Sequence, residues 1–358
     1  MQILEKIPVS LPPQARQLLQ KGMVFLDIET TGLQVRTSHL YLIGVLFFDP
    51  IPHRFLLRQW FLNRPTEERN LLILFAEFLS SFHGLIHFNG NPFDLPYLRH
   101  KYEFYKLENP LDGVDSMDLA RTIKPYARLL GLSSTKQKEW EKLISFSRDD
   151  LFSGEELISV YHEYLQSQDF SLREKLLLHN QEDILGMTAI SSLLSIPQFF
   201  HGEFTVQECQ YPPEALLILL ECDSPLPVSL SVKTSSLFLD VTNQRADMTI
   251  YTKKTTLKHF FPDYQNYYYL PEEDQAIHKS VGIYVDPSHR QKAKASTCYQ
   301  KKTGVFLPEE KPLFLPCFQE TYHGVPSYFE WNNTRKENKE LLHQYVVIEL
   351  AALLKNTL

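Results

Sequence analysis

Cysteine is scarce and confined to one half of the chain: Cys209, Cys222, Cys298 and Cys317 are the four in 358 residues, none in a C-x-x-C pair and none with a histidine at zinc-finger spacing. That pattern speaks against a disulfide framework or a thiolate zinc site and points to free thiols. No apolar run has the roughly 20 residues of a bilayer-spanning helix. The opening MQILEKIPVSLPPQARQ lacks a basic start, an apolar core and a small-residue cleavage site. A soluble cytoplasmic protein with no membrane partner is therefore expected. Positive charge is not in excess either. A net charge of -7 excludes binding to nucleic acid through bulk positive charge, while leaving room for a local basic groove beside an acidic metal site. What the chain does have is apolar content, 43% with 13% aromatic, enough at this length for two buried cores.

One stretch organises the rest. Val24 to Leu33, VFLDIETTGL, runs apolar side chains into Asp27 and Glu29 and then breaks at Thr30-Thr31-Gly32. Successive side chains on a strand alternate faces, so the two carboxylates point the same way, about 7 Å apart. Like charges at the end of an apolar strand cost free energy unless a cation sits between them, and a hard, oxygen-held metal fills that role. Taken alone, such a pair is more often a solvated strand end.

Further along, Pro12 to Gly22 reads as a short helix leading into the first strand. His39 to Asp49 and Arg54 to Leu62 read as an antiparallel hairpin across Asp49-Pro50-Ile51-Pro52, and Thr66 to Phe82 as a helix capped by Thr66. Gly84 to Asn89 has the character of a strand covered on both faces. It leads through Gly90-Asn91-Pro92 to Asp94, at the mouth of a helix with Pro96 in its first turn, where a cap is the ordinary reading. Gly113 to Asp118 forms a fifth strand, with Asp115 or Asp118 capping the helix that follows. Leu129 to Phe146 and Gly154 to Leu165, the latter capped by Ser153, are helical. Ser171 to Ile196 is the longest helical run, closed by Pro197, and it places His179 and Asp183 one turn apart on one face.

These separate signals gain meaning together. In-line hydrolysis of a phosphodiester by two divalent ions needs a carboxylate that bridges both ions and others that hold each one separately. Asp27, Glu29, Asp94 and Asp183 supply four, and their charge offsets that of the ions, which then attract the phosphate.

The blocks FLDIETTGL, FNGNPFDLPYL and HNQEDILGM resemble, in that order, the motifs of the DEDD, or DnaQ-like, 3'-5' exonucleases of the ribonuclease H-like fold. The middle block is particularly similar to the proofreading exonuclease of family B DNA polymerases. DDLFSGEELISVYHEYL, ahead of the last block, is similar to the YprB-like branch. The resemblance covers about residues 22 to 196. It implies that Asp27 bridges two Mg2+ or Mn2+ ions, that Glu29 and Asp183 complete the site of the water-activating ion, and that Asp94 holds the second. His179 would orient the attacking water or accept its proton. Thr30, Thr31, Leu33 and Asn89 would meet the terminal nucleotide. One departure stands out: histidine-bearing members place that residue five before the last acid, whereas His179 lies four before Asp183, the spacing of members with tyrosine. On a helix, one residue is about 100° of rotation.

After Pro197 the composition shifts to short strands, at Phe204 to Val206, Ala215 to Leu220, Val228 to Val232, Leu237 to Val241 and Met248 to Tyr251. An aromatic run, HFFPDYQNYYYLP, follows, then a helix over Pro271 to Val285, a basic stretch with Arg290, Lys292, Lys294, Lys301 and Lys302, and a closing helix near Glu337 to Leu354. No catalytic motif is present in this half. Its tyrosines and lysines form either a core with a solvated face or a single-strand-binding surface.

The expectation is thus an α/β protein. Residues 1-200 form a ribonuclease H-like mixed five-stranded sheet flanked by helices, the exonuclease domain. Residues 201-358 form a smaller α+β domain of unassigned role, with nucleic-acid binding as one option. The expected substrate is single-stranded nucleic acid with 3' ends, DNA ahead of RNA. A structure-specific endonuclease with the same site and a catalytically silent nucleic-acid-binding scaffold are the rivals.

Overall fold

Strands that are apolar on both faces need helices above and below them, and the first half of the chain supplies both. The computed structural model describes residues 1-8, 10-51, 53-150, 152-331 and 338-357, which divide into two units, Met1–Pro197 and Gln198–Leu358. The first runs β1 (Gln2–Lys6), α1 (Pro13–Gln20), β2 (Met23–Thr30), β3 (Leu40–Asp49), β4 (Arg54–Phe61), α2 (Glu68–Leu79), β5 (Gly84–His87), α3 (Asp94–Phe104), β6 (Asp115–Asp118), α4 (Leu119–Ile123), α5 (Gln137–Leu143), α6 (Gly154–Ser167) and α7 (Phe170–Ile190). The sheet order is β1-β4-β3-β2-β5-β6. β2, β5 and β6 are parallel; β2, β3, β4 and β1 alternate. It is a mixed sheet flanked by helices, with an α+β unit after it, and its fold is ribonuclease H-like.

The sheet has six strands rather than the five expected. QILEK pairs only with β4 and leaves Ile3 54% exposed, so it lacks the clean alternation that marks a half-buried strand. The hairpin between β3 and β4 forms as read, with Asp49 Oδ1 accepting from the Ile51 N–H at 2.9 Å; Pro52 of its turn lies outside the described residues. Thr66 does not cap α2 but lies within a 3-10 turn, Pro65–Glu67, that precedes it. The helix expected over Leu129 to Phe146 shrinks to α5, because Gly131 turns the chain at φ 73° and Ser133-Ser134-Thr135 follows. α6 begins as predicted: Ser153 Oγ accepts from the Glu156 N–H, and Glu156 reaches back to the Ser153 N–H.

Pro197 does not close the long helical run. After a 3-10 turn a new helix starts at Ser195, so Pro197 falls in its first turn, where no backbone N–H is needed. The stretch Phe170–Phe200 is apolar and long enough, by length and composition alone, to cross a membrane, contrary to expectation. Its apolar side chains Leu172, Leu176, Leu177, Ile184, Met187 and Ile190 are nevertheless buried, as in a core helix. α7 packs across β2, β3 and β4.

In the second unit the strands Phe204–Gln210, Ala215–Cys222, Arg245–Tyr251, Leu237–Thr242 and Leu230–Lys233 form one antiparallel sheet in that order. The helix expected over Pro271 to Val285 is instead a hairpin turn, the strand Gln275–His278 and the short helix Lys279–Gly282. Asp274 sits at the turn with φ 49° and accepts the Tyr269 hydroxyl, which fixes the reversal. The closing helix is Lys339–Thr357, and Glu337 lies outside the described residues. Of the basic residues, Lys301 pairs with Asp274 at 2.6 Å and Lys302 with Glu330 at 2.5 Å, while Lys292 and Lys294 are exposed. Phe260, Phe261, Tyr267 and Tyr269 are half-buried, Phe261 stacked on Tyr267 with ring centres 4.8 Å apart.

Candidate metal and catalytic site

Asp27, Gly44 and Gln59 lie in one row across β2, β3 and β4, and α7 passes over that row. Asn180, fully buried on α7, drops its side chain into the gap that Gly44 leaves. Its Nδ2 donates to Asp27 Oδ2 at 2.8 Å, and its Oδ1 accepts from Gln59 Nε2 at 2.8 Å. The gap is obligatory, because a Cβ on Gly44 would stand 2.0 Å from Asn180 Oδ1. Gly44→Ala is therefore expected to cost about 1 to 3 kcal/mol through overpacking, and to loosen Asp27. A thermal melt beside a Mn2+ titration checks it; wild-type values in both would contradict this account of the row.

Glu29, two residues along β2, is also buried and faces α7. His179 Nε2 lies 3.8 Å from Glu29 Oε1 and 3.2 Å from Asp183 Oδ2. On its other side, His179 Nδ1 meets Asp150 Oδ2 at 2.6 Å. Asp183 is held in turn: Arg148 Nη1 donates to its Oδ1 at 2.6 Å, and Gln137 Nε2 to its main-chain oxygen at 2.8 Å. Arg148 is clamped by Glu141, whose Oε2 takes Arg148 Nε at 2.6 Å, and Gly186 leaves the room that Glu141 occupies.

The third acid comes from beyond β5. Asp94 is the first residue of α3, and Gly90 makes its position possible, since a Cβ there would stand 2.9 Å from Asp94 Oδ2 and 2.8 Å from His87. Asp118, buried at the end of β6, caps α4 through the Arg121 N–H and also accepts the Asn89 N–H at 2.9 Å, so the cap role read from the sequence is present. Asp115 is exposed. Burial and the charge of Asp118, with Asp183 behind it, push the Asp94 carboxyl up to about 7. Asp27 is raised well above the carboxylate range by burial, then by Asp183, Glu29 and Asp94. Glu29 is raised likewise by burial, Asp183, Asp94 and Asp150. Asp183 thus acts on all three of the raised carboxyls, after burial.

The residues expected to meet substrate are less gathered. Thr30 Oγ1 donates to the Gly32 main-chain oxygen, and Thr31 Oγ1 accepts the His39 N–H, so both stabilise the turn after β2. Leu33 is 81% exposed, and Asn89 is exposed with φ 58°. The sequence reading gave no role to Arg148, Asp150, Glu141, Asn180 or Gln59. Asn180 was legible as the neighbour of His179 in HN-x-x-D, and Asp150 stood inside a block already singled out, but neither contact follows from chain order.

Glu29, His179 and Asp183 each offer a ligand atom, all within 4.8 Å of one another. The carboxylate oxygens suit Mg2+ or Mn2+, with the His179 ring beside them. A divalent cation would also relieve the repulsion that raises Asp27, Glu29 and Asp94, so the residues fit the group. The consequence for stability has a definite sign. Carboxyls raised in the folded state hold protons that the unfolded chain releases near pH 4. Their contribution to stability is thus complete below that value and is lost as pH rises, through about 7 for Asp94, with Asp27 and Glu29 shifted in the same direction. In chelator the melting temperature of the first unit should fall from pH 5 to pH 8. Mn2+ should restore it, most at pH 8, and a flat profile would contradict the clustering.

Residues 24–195 match the family described as the RNase_H superfamily, a span just under half of the chain. Among solved structures, the family B DNA polymerase from the hyperthermophilic archaeon Pyrobaculum calidifontis is similar at 12% identity and a TM-score of 0.38, over 68% of this chain and 35% of that one. The chain thus covers about a third of that polymerase. Comparison with curated proteins gives no match.

Proposed function

We propose that the first unit is a divalent-metal-dependent 3'-5' exonuclease of the DEDD type, YprB-like branch, acting on single-stranded nucleic acid, DNA ahead of RNA. The observation that carries this reading is the meeting of Glu29, His179 and Asp183 ligand atoms within 4.8 Å, with Asp27 tied to the same helix by Asn180; burial and neighbouring acids raise Asp27, Glu29 and Asp94 beside it. Two Mg2+ or Mn2+ ions held by these carboxylates would neutralise phosphate charge and favour ionisation of a bound water. His179 Nε2 takes the proton of the attacking water. The water oxygen bonds to phosphorus as the P–O3' bond breaks, and the departing 3'-oxygen takes a proton from solvent. Asn180 and Gln59 hold Asp27 in place, and Arg148 holds Asp183.

A cleft of ≈ 1020 Å³ borders Asp118 and supports a polymeric substrate. Phe88, Asn89, Pro92, Arg121, Lys124 and Lys136 line it, and the three cations are exposed. Phosphates can pair with the cations and a base can stack on Phe88. The second unit, through Lys292 and Lys294, is a further candidate for holding the strand. The test uses 3'- and 5'-labelled single-stranded DNA and RNA with Mg2+, Mn2+ or chelator. Mononucleotides released from the 3' end only with metal support the reading. Internal fragments would replace it with an endonuclease, and no cleavage under any condition would end it.

A further inference from the structure

Three consecutive residues between α5 and α6 grip one turn of α7. Arg148 binds Asp183, the main-chain N–H groups of Asp149 and Asp150 donate to Glu182 Oε1 and Oε2 at 3.0 and 2.8 Å, and the Asp150 side chain takes His179. Glu182 is itself buried, so the segment is anchored to α7 at its centre as well as at its two ends. Asp150 stands outside the Glu29, His179 and Asp183 set that could share an ion, and the hydrolysis described above gives it no task.

Its surroundings nonetheless define one. Asp150 is 5% exposed; its Oδ1 accepts the Phe152 N–H at 3.0 Å, and Lys138 Nζ lies 3.9 Å from its Oδ2. A carboxylate supplied with a backbone donor and a cation can only accept, so the ring nitrogen 2.6 Å away must carry the hydrogen. A divalent cation held by Asp183 and Glu29 would take up the oxygens that Nε2 faces at 3.2 and 3.8 Å, so that with the hydrogen on Nδ1 a neutral imidazole keeps its lone pair on Nε2. Without Asp150 the same ring could place its hydrogen on Nε2 and donate it to Asp183, leaving no lone pair on the side where a water would be deprotonated.

We propose that Asp150 is a positioning residue that fixes His179 as the Nδ1–H tautomer and aims its Nε2 lone pair into the space beside Glu29 and Asp183, the segment Arg148-Asp149-Asp150 serving as the clasp. This rests on the hydrolytic reading of the site for its catalytic consequence, but the tautomer itself does not. An Asn at this position can donate to Nδ1 and so forces the opposite tautomer, a change known to be costly in Ser-His-Asp sites.

The experiment compares the Mg2+-loaded wild type, Asp150→Asn and Asp150→Glu by nitrogen-15 NMR of the histidine rings, with His179→Gln to assign the signal, and by hydrolysis of 3'-labelled single strands. The expected result is Nδ1–H in the wild type and Nε2–H in Asp150→Asn, with kcat down roughly a hundredfold or more. KM and Mn2+ affinity should stay within about twofold, since positioning acts on the chemical step. Asp150→Glu should regain part of kcat, which a purely structural loss would not. Nε2–H in the wild type, or wild-type kcat in Asp150→Asn, overturns the proposal. If Asp150→Asn does not fold, the wild-type tautomer and the Asp150→Glu rate still decide it. A wild type that cleaves nothing but shows Nδ1–H would remove the nuclease reading and leave the tautomer assignment standing.

Discussion

Asp27→Asn is expected to lower metal-dependent release of nucleotides by about a thousandfold or more, because charge stabilisation by bound ions is worth several kcal/mol and each 1.36 kcal/mol is tenfold in rate. Asp27 is the acid that the other three all act on: Asp183, Glu29 and Asp94 each raise its carboxyl. Asparagine has the same shape and can still accept from Asn180, whose amide now reaches Oδ2 at 2.8 Å. Folding should therefore survive. With one negative charge removed from a crowded site, the metal-free protein should melt no lower than the wild type at pH 8. The two readouts move in opposite directions, which a general loss of structure cannot reproduce. Activity within tenfold of wild type, measured on 3'-labelled strands in Mg2+, would take Asp27 out of the chemistry.

Arg148→Met should be the most destabilising of the changes considered. The guanidinium is 7% exposed and its partner Glu141 is 2% exposed, so removing the cation strands a buried carboxylate. Breaking a buried pair from one side typically costs about 3 to 5 kcal/mol, which for a unit of this size lowers the first melting transition by roughly 10 °C. Replacing both partners, Arg148→Met with Glu141→Leu, should recover most of that loss, since an apolar pair of similar volume is often as stable as the ion pair. The coupling measured in the full double-mutant cycle is the quantity that matters. If the double variant is as unstable as the single, the cost lies in Asp183 and the clasp rather than in Glu141.

Periodicity is what made part of the site legible. Two acids on a strand at i and i+2 must share a face, a histidine and an acid on a helix at i and i+4 must stack, and Gly90-Asn91-Pro92 announces a helix entry at Asp94. These are local statements, and the fold keeps them. Asp150 and Arg148 are different: each acts across 29 to 35 residues of chain, and only the docking of the α5–α6 segment on α7 brings them to His179 and Asp183. Gly44 is likewise silent in the sequence, one residue in a run of apolar ones, until Asn180 is seen to need its missing side chain. β1 escaped because an edge strand with one partner carries little alternation. The stretch after Pro271 was misread because the Tyr269 and Asp274 contact that turns it cannot be seen from helical spacing.

The strand directions of the first unit have a consequence for what could change without loss. β2, β5 and β6 all point their carboxyl ends at the acids, whereas the turn joining β3 to β4 closes at the far end of the sheet. Segments such as Thr31 to His39, Gly131 to Lys136 and, with Gly90 kept in place beside Asp94, Phe88 to Phe93 can therefore be lengthened or exchanged while the carboxylates stay seated on rigid strands and helices. Such a scaffold leaves evolutionary latitude to alter which polymer is gripped while conserving the apparatus that would sever it, and grafting those three segments between relatives is the direct way to exploit it.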